Sequence, residues 1–373
     1  MTDHRPLKTL VLTTAFSRAA PVMGAFLFAR YLHQQGDAVV FAALDSQPNG
    51  FRADVHAASI PTHDFALGGW RGMRNRGAVQ RYVEASAINV VMSDGLRPDV
   101  VAAGLQGVTR VSNVRGLLKD HYALDYPFGV AQAAAWMQAR ALRKLDAVFA
   151  ISPAIADHLA GLGVARERLH IVDNFIDVQQ VQAAAAANPQ QLGPGVHIGL
   201  FGGLIRRKRV DLAVRGFAEV AKRTPAADVR LHLIGEGPLR AKLEALAAEL
   251  GVADRVRFHG FLDAPLGLMA AMDVVLLTSD REGVPRSLME ALALGRTCIS
   301  SAFPGVASLI TEGQTGFLFE MGSVDGLAHV LERVVDGTPV PSDQLQTFMS
   351  EHHDVTERAG ELAREIRRIA ANQ

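Results

Sequence analysis

The chain has one cysteine among 373 residues, Cys298 in the apolar run Thr297-Cys298-Ile299-Ser300. A single cysteine excludes an internal disulfide framework and a cysteine-rich zinc site. Its thiol reads as a small buried hydrophobe on a strand. An excess of charge is missing too, since 38 Lys and Arg face 38 Asp and Glu. Nucleic-acid binders carry a clear basic surplus, so no nucleic-acid partner is expected. No stretch reaches the roughly 18 uninterrupted apolar residues of a membrane span. The start, Lys8-Thr9-Leu10-Val11-Leu12 with Ala19-Ala20-Pro21 behind it, is short and polar-punctured. It reads as a first buried strand and not as a signal peptide. With 49% hydrophobic and 20% charged residues, disorder is excluded as the main state. The expectation is a soluble protein of a reducing cytoplasm.

What is present is alternation. Short β-rich apolar runs fall at 9–13, 38–42, 89–92, 109–113, 147–151 and 169–172, then at 197–201, 230–234, 256–259, 274–278, 297–301 and 317–319. Helical patterns separate them, at 26–35, 79–86, 130–145 and 154–162 in the first half. In the second half they lie at 212–221, 239–250, 266–271, 285–294, 306–310 and 324–334. Such order predicts an α/β protein of βαβ units with parallel sheets covered on both faces. Twelve strands exceed what one twisted sheet of this kind holds without splitting, and the length suits two domains of roughly 150–200 residues. The polar stretch Asn188-Pro189-Gln190-Gln191-Leu192-Gly193-Pro194-Gly195 reads as their linker. The alanine run 183–187 before it reads as a helix end. Domains are therefore expected at 1–188 and 189–350, with a C-terminal helix in 351–373. Two Rossmann-like domains of similar size would face each other across a cleft at the carboxyl ends of their strands, where open α/β sheets bind ligands.

Three strand-to-helix turns carry candidate chemistry. In Asp280-Arg281-Glu282-Gly283-Val284-Pro285-Arg286-Ser287-Leu288-Met289-Glu290, Pro285 stands at a first helical position and Gly295 at a C′ position. The amides around Gly283–Ser287 then point out of a helix N-terminus, which favours anions and hydroxyl oxygens. Glu282 and Glu290 flank that turn, and a carboxylate can accept from two sugar hydroxyls. The alternative is that Glu282 only complements the helix dipole while Glu290 is solvated. The second turn, Gly202-Gly203-Leu204-Ile205-Arg206-Arg207-Lys208-Arg209, joins two glycines to four cations. It suits a diphosphate, without the spacing of a P-loop, or is a solvated basic loop. The third, Ile234-Gly235-Glu236-Gly237-Pro238, lacks the last glycine of a dinucleotide fingerprint, so hydride chemistry is poorly supported.

In these blocks the second half resembles the donor-binding domain of the family-4 retaining glycosyltransferases, which have the two-domain GT-B fold. Residues 202–211, 234–261, 273–295 and 305–319 match in order and spacing, and Glu282/Glu290 reproduce the Glu-x7-Glu signature. More loosely, Val91-Met92-Ser93-Asp94-Gly95-Leu96-Arg97-Pro98-Asp99 and Asn174-Phe175-Ile176-Asp177 resemble segments of the acceptor domain. The resemblance implies that Glu282 holds the donor sugar and that the amides of Gly283, Val284 and Arg286, with Pro285 and Ser287 in the same turn, support sugar and diphosphate. It implies that Glu290 binds the ribose, that Lys208 stabilises the leaving diphosphate, and that Gly260 and Phe261 lie by the base. Gly202, Gly203 and Gly235 belong to the same donor site. Cations and preorganised N–H donors meet the charge of the departing diphosphate, so neither a metal nor another cofactor is expected. The segment 356–370 would return to the first domain.

The family carries an arginine five residues before its lysine, where Gly203 stands here; Arg206 or Arg207 would take its place, and Arg207 is grouped with Glu282 and Lys208 as catalytic. A histidine in an HG step is replaced by Arg115-Gly116, and Arg115 cannot act as a base near neutral pH. A glycine pair after the first strand is reduced to Gly24. Gly24, Arg115 and His121 are the acceptor-side candidates. Gly68–Arg76, basic with Trp70, is either a membrane or anionic-acceptor contact, through Trp70–Arg76, or a surface loop. The pair His352-His353 is expected to be exposed. The reading is a retaining, metal-independent hexosyltransferase that moves a sugar from a nucleoside diphosphate sugar, uridine preferred, to a saccharide or lipid-linked acceptor of envelope or exopolysaccharide synthesis. It is expected in the cytoplasm, at times on the inner membrane face. The rivals are a sugar-nucleotide epimerase or phosphorylase on the same scaffold and a non-catalytic sugar-nucleotide-binding subunit.

Overall fold

A computed structural model describes residues 6–17, 19–45, 51–69, 76–118, 122, 127–224, 228–337 and 339–372. The chain forms two compact units, residues 1–175 with 355–373, and residues 176–354. The first contains β1 (Lys8–Ala15), α1 (Ala20–Gln34), β2 (Ala38–Asp45), α2 (Phe51–Ala57), β3 (Thr62–Asp64), α3 (Arg76–Ala85), β4 (Val90–Ser93), α4 (Leu96–Ala102), β5 (Thr109–Val114), α5 (Phe128–Leu142), β6 (Ala147–Ala150), α6 (Pro153–Gly161) and β7 (Leu169–Ile171). Its seven strands run in the order β3-β2-β1-β4-β5-β6-β7, and every pair is parallel.

The second unit contains α7 (Val178–Ala187), β8 (Val196–Phe201), α8 (Val210–Arg223), β9 (Val229–Ile234), α9 (Arg240–Glu249), β10 (Val256–Gly260), α10 (Leu266–Ala270), β11 (Val274–Leu277), α11 (Arg286–Ala293), β12 (Thr297–Ser301), β13 (Phe317–Phe319), α12 (Val324–Val335) and α13 (Ser342–His352). Its six parallel strands run β10-β9-β8-β11-β12-β13. Strands such as Val-Val-Met-Ser in β4 and Val-Val-Leu-Leu in β11 are buried throughout. Continuous apolar runs of this kind are what a sheet covered on both faces requires. In both sheets the order reverses once, between β1 and β4 and between β8 and β11. These are two doubly wound Rossmann-like domains, the architecture of the GT-B fold.

In the first unit Phe16, Phe26, Phe41 and Phe51 pack with ring centroids 5.4–6.2 Å apart. The last helix, α14 (Val355–Ala371), buries Ala359, Leu362, Ala363 and Ile366 in that core and packs on α1. The spacing i, i+3, i+4, i+7 makes this one helical stripe, which ties the end of the chain to the first unit.

The division falls after Phe175 and not after Asn188. Asp177 caps α7 by accepting from the Gln180 amide at 2.7 Å, and α7 then packs on α10 and α11 of the second unit. Gln182 donates to the Ala293 carbonyl at 3.0 Å, and Gly267 leaves space for the Asn188 carbonyl. Packing thus assigns the helix before the polar stretch to the domain after it. The expected helix at 306–310 is only a short 3-10 turn at Pro304–Val306. His352 is exposed, but His353 is 2% exposed, with Nε2 3.1 Å from the Ser308 carbonyl. Cys298 is fully buried on β12, and burial pushes its thiol far up.

Three histidines form a row across β8, β9 and β10. His197 Nδ1 lies 2.9 Å from His232 Nε2, and His232 Nδ1 lies 2.9 Å from His259 Nε2. The other His197 nitrogen meets the Gly193 carbonyl at 2.9 Å. A carbonyl only accepts, so His197 Nε2 carries a proton. In the neutral row His232 then donates to His197, and His259 donates to His232. Protonating His197 or His232 at Nδ1 would set one donor against another.

Candidate active site

Two loops of the second unit meet where its strand order reverses. One follows β8 and carries Gly202–Arg209; the other follows β11 and carries Thr278–Pro285. The Thr278 hydroxyl donates to the carbonyls of Lys208 at 2.8 Å and Arg209 at 2.9 Å, and the Asp280 amide donates to the Arg207 carbonyl at 3.1 Å. Arg209 adopts φ +46°, a left-handed conformation uncommon outside glycine. Its guanidinium pairs with Asp211 and Asp280, both at 3.2 Å. The Ser301 hydroxyl donates to the Ser279 carbonyl at 2.6 Å, which ties the β11 end to β12.

This framework brings Glu282, Lys208 and Arg207 together. Glu282 Oε1 lies 2.8 Å from Lys208 Nζ and 2.5 Å from Arg207 Nη1. The Ser279 hydroxyl donates to the same oxygen at 3.1 Å. The Glu282 side chain is 14% exposed and that of Lys208 13%. Burial pushes the Glu282 carboxyl up, but Lys208 and then Arg207 outweigh it and hold the group below its ordinary range. Two cations against one carboxylate leave the cluster with a charge of +1. Arg206 is exposed to solvent, so of the two adjacent arginines only Arg207 reaches Glu282.

The glycines have steric reasons for their positions. Gly202 sits at φ +153°, and a Cβ there would lie 3.3 Å from Lys208 Cε, so the bare backbone lets the lysine fold across its own loop. A Cβ on Gly235, at φ +140°, would lie 2.1 Å from the Gly202 carbonyl oxygen, and one on Gly237 2.4 Å from that of Leu204. The Gly-Glu-Gly turn is therefore a backbone-to-backbone seat for the loop after β8. Gly203 is different: a Cβ there would meet nothing closer than 3.7 Å.

At α11, Pro285 is the N-cap and Arg286 the first helical residue. Val284 and Pro285 are buried while Gly283, Arg286 and Ser287 are partly exposed at the helix start, where first-turn amides lack intrahelical partners. A Cβ on Gly305 would lie 1.7 Å from the Gly283 carbonyl oxygen, so the turn after β12 braces this segment. Glu290 pairs with Arg286 at 2.7 Å. Burial raises its carboxyl above the ordinary value, and Arg286 offsets this only in part. At the end of β10 the Gly260 carbonyl accepts from the Gly235 amide at 2.9 Å, and Phe261 beside it is 71% exposed. Among the described residues no three His, Cys, Asp or Glu side chains form a metal-ligand group.

In the first unit a cavity of 520 Å³ opens at the reversal between β1 and β4, lined by Thr14, Asp94, Asn113, Arg115, Tyr122 and Gln138 among others. Arg115 pairs with Asp94 at 3.3 Å and donates to Asn174 at 2.7 Å. Its guanidinium lies over Gly24, where a Cβ would come within 2.4 Å, so the two acceptor-side candidates pack on each other. His121 and residues 70–75 lie outside the described residues. Arg76 begins α3 and packs over Gly104. A group that the sequence did not reveal is Asp99. It is fully buried, accepts from Ser93 at 2.6 Å and from Gln138 at 2.7 Å, and burial raises its carboxyl to about 7. Gln138 in turn accepts from the Tyr122 hydroxyl. Asp99 stands in an ordinary short helix, and no spacing announces its burial.

The chain is similar to known proteins in both halves. Residues 24–180 match the model of Glycosyltransferase Family 4, and residues 195–336 match that of Glycosyl transferases group 1. The lipopolysaccharide core biosynthesis glycosyltransferase LpsE of Rhizobium meliloti is 27% identical over 270 residues, 72% of this chain and 73% of its own. A lipopolysaccharide 1,6-galactosyltransferase of Salmonella typhimurium is 28% identical over 225 residues, 58% of this chain and 57% of its own. Among solved structures, Anabaena HepE in complex with UDP and glucose superposes with a TM-score of 0.80 at 20% identity, covering 96% of this chain and 99% of that one. One glycosyltransferase family model thus matches within each half of the chain, and the two-domain GT-B fold is shared with HepE, so the chain is similar to glycosyltransferases in both halves.

Proposed function

We propose that the protein transfers a hexose from a nucleoside diphosphate sugar to a saccharide or lipid-linked acceptor of envelope or exopolysaccharide synthesis, with retention of anomeric configuration. The observation that carries this is Glu282, ionised between Lys208 and Arg207 at the strand-order reversal of the second unit. An ionised carboxylate is acceptor-only and suits sugar hydroxyls. The surplus positive charge and the N-terminus of α11 suit the diphosphate, whose charge grows as the sugar leaves. No step in this scheme calls on a metal or a cofactor. Arg207 fills the part of the family arginine missing at Gly203, because it alone of the two candidates reaches Glu282. Glu290 takes the ribose, Phe261 lies against the base, and Gly24 and Arg115 shape the acceptor side. UDP-sugars are the preferred donors, supported by the presence of UDP in the HepE structure. The lipopolysaccharide relatives support an acceptor of that class, and a peripheral membrane contact through Trp70–Arg76 is part of the same proposal.

A thermal-shift screen against uridine, guanosine, adenosine and cytidine diphosphates and their common sugars tests the donor. A ligand of the folded state stabilises by RT ln(1 + [L]/Kd). A shift confined to the uridine series is expected; a shift confined to another base would replace the donor assignment, and no shift at all would contradict the proposal.

A further inference from the structure

The first unit has a second polar pocket, at the opposite end of its strands from the 520 Å³ cavity. It lies where β1 and β2 begin, has a volume of 390 Å³, and is lined by Tyr31, Gly36, Asp37, Gly360, Arg364 and Arg367, with Pro6 and Gln35. Its walls are the end of α1 and one face of α14.

Hydrogen-bond donors converge there. Arg367 donates through Nη2 to Asp37 at 2.5 Å, and Asp37 also accepts from the Leu7 amide at 3.0 Å. The Nε of Arg367 is buried and has no hydrogen-bond partner among the described residues. Gly360 supplies the space. A Cβ there would lie 3.0 Å from the Tyr31 hydroxyl and 3.4 Å from Arg364 Nη1, so a phenol and a guanidinium meet over bare helix backbone. Asp37 neutralises only one of the two guanidinium groups. The nearby carboxylates of α14 are engaged elsewhere, Glu361 by Arg358 and Glu365 by Arg368, each at 2.7 Å. The pocket therefore keeps a net positive charge and a buried N–H that lacks an acceptor, a costly arrangement by itself.

We propose that this pocket binds an oxyanion of the phosphate class, as the free ion or as a phosphomonoester. A tetrahedral phosphate presents oxygens in several directions at once. Arg364 can take one or two of them, and the Tyr31 hydroxyl and the Arg367 guanidinium can take the rest. Because α1 and α14 both supply donors, the bound anion fastens the C-terminal helix to the first unit. The pocket is separate from the donor site of the second unit and does not depend on the function proposed for it.

Thermal unfolding of the full chain in sodium phosphate, glucose 6-phosphate and sodium chloride at matched ionic strength tests this. The variants are Arg364→Gln, Gly360→Ala, whose methyl fills the cradle, and Lys208→Met, which removes a cation from the other unit. Phosphate is expected to raise the melting temperature above chloride in the parent and in Lys208→Met. The increment is expected to vanish in Arg364→Gln and in Gly360→Ala. A larger increment with glucose 6-phosphate assigns a phosphomonoester, and a larger one with phosphate assigns the free ion. The proposal is overturned if chloride matches phosphate, if Arg364→Gln keeps the full increment, or if the increment disappears in Lys208→Met instead.

Discussion

Replacing Lys208 by methionine keeps the length of the side chain and removes its charge. In the parent, Glu282 Oε1 is held by Arg207 at 2.5 Å, Lys208 at 2.8 Å and the Ser279 hydroxyl at 3.1 Å. Stripping a buried carboxylate of its only partner costs roughly 3–5 kcal/mol. Here Arg207 and Ser279 remain and the carboxylate is 14% exposed, so the loss of stability is about 1–2 kcal/mol, near the value of one charge-assisted hydrogen bond. A domain with about 5–15 kcal/mol of stability stays folded. On the proposed function turnover should suffer more, because the cluster falls from a charge of +1 to neutrality where a leaving diphosphate would need cations. Loss of one preorganised electrostatic group costs about 10²–10³ in turnover. Urea denaturation measures the first number, and nucleoside diphosphate release from the donor found in the screen measures the second. Turnover within about threefold of the parent, on the scale where tenfold is 1.4 kcal/mol, would refute the role given to Lys208.

Arg207→Ala should lower turnover at least about tenfold and Arg206→Ala should not, since tenfold corresponds to only 1.4 kcal/mol and of these two arginines Arg207 is the one that touches Glu282; steady-state kinetics of the pair decide it. Gly235→Ala places a methyl 2.1 Å from the Gly202 carbonyl at φ +140°. Its urea midpoint should fall by the equivalent of about 2 kcal/mol or more, because strain and a backbone clash act together. The histidine row should make the second unit acid-sensitive. Burial, then His259 and His197, hold His232 down to about 4 from 6.5. As pH falls through 6.5 the unfolded chain takes up the proton first, so stability declines between pH 6.5 and about 4. The decline is at most about 3 kcal/mol, from the conversion of about 1.4 kcal/mol per pH unit. Urea curves at pH 7.5, 5.5 and 4.5 should show it in the parent and a smaller decline in His232→Gln.

All twelve strands expected from apolar runs are found, because a strand buried on both faces must be continuously apolar. The strand that escaped notice is β3, Thr62-His63-Asp64, a polar edge of three residues with no such run. Helix α13 escaped for a related reason, since it buries only Leu345 and Met349 in an otherwise polar sequence. The domain boundary was misread because a Pro- and Gly-marked stretch reports local flexibility, whereas the side on which α7 docks is a tertiary matter. At the candidate site the turns and their charged residues were legible as strand-to-helix junctions. That Arg207 and Lys208 share one oxygen of Glu282 was not, since the two loops meet only through the neighbouring positions of β8 and β11. The burial of Asp99 and the histidine row also depend on strand register and helix packing, which residue spacing within one segment does not report.

The central claim is that the strand-order reversal of the second unit receives a nucleoside diphosphate sugar. Hydrogen exchange of the full chain, read by mass spectrometry with and without saturating UDP-glucose, tests it without an acceptor. Protection is predicted in peptides covering 202–209, 235–237, 260–261 and 279–287. Protection confined to the first unit, or to the opposite strand ends around 192–197 and 254–258, would contradict the account.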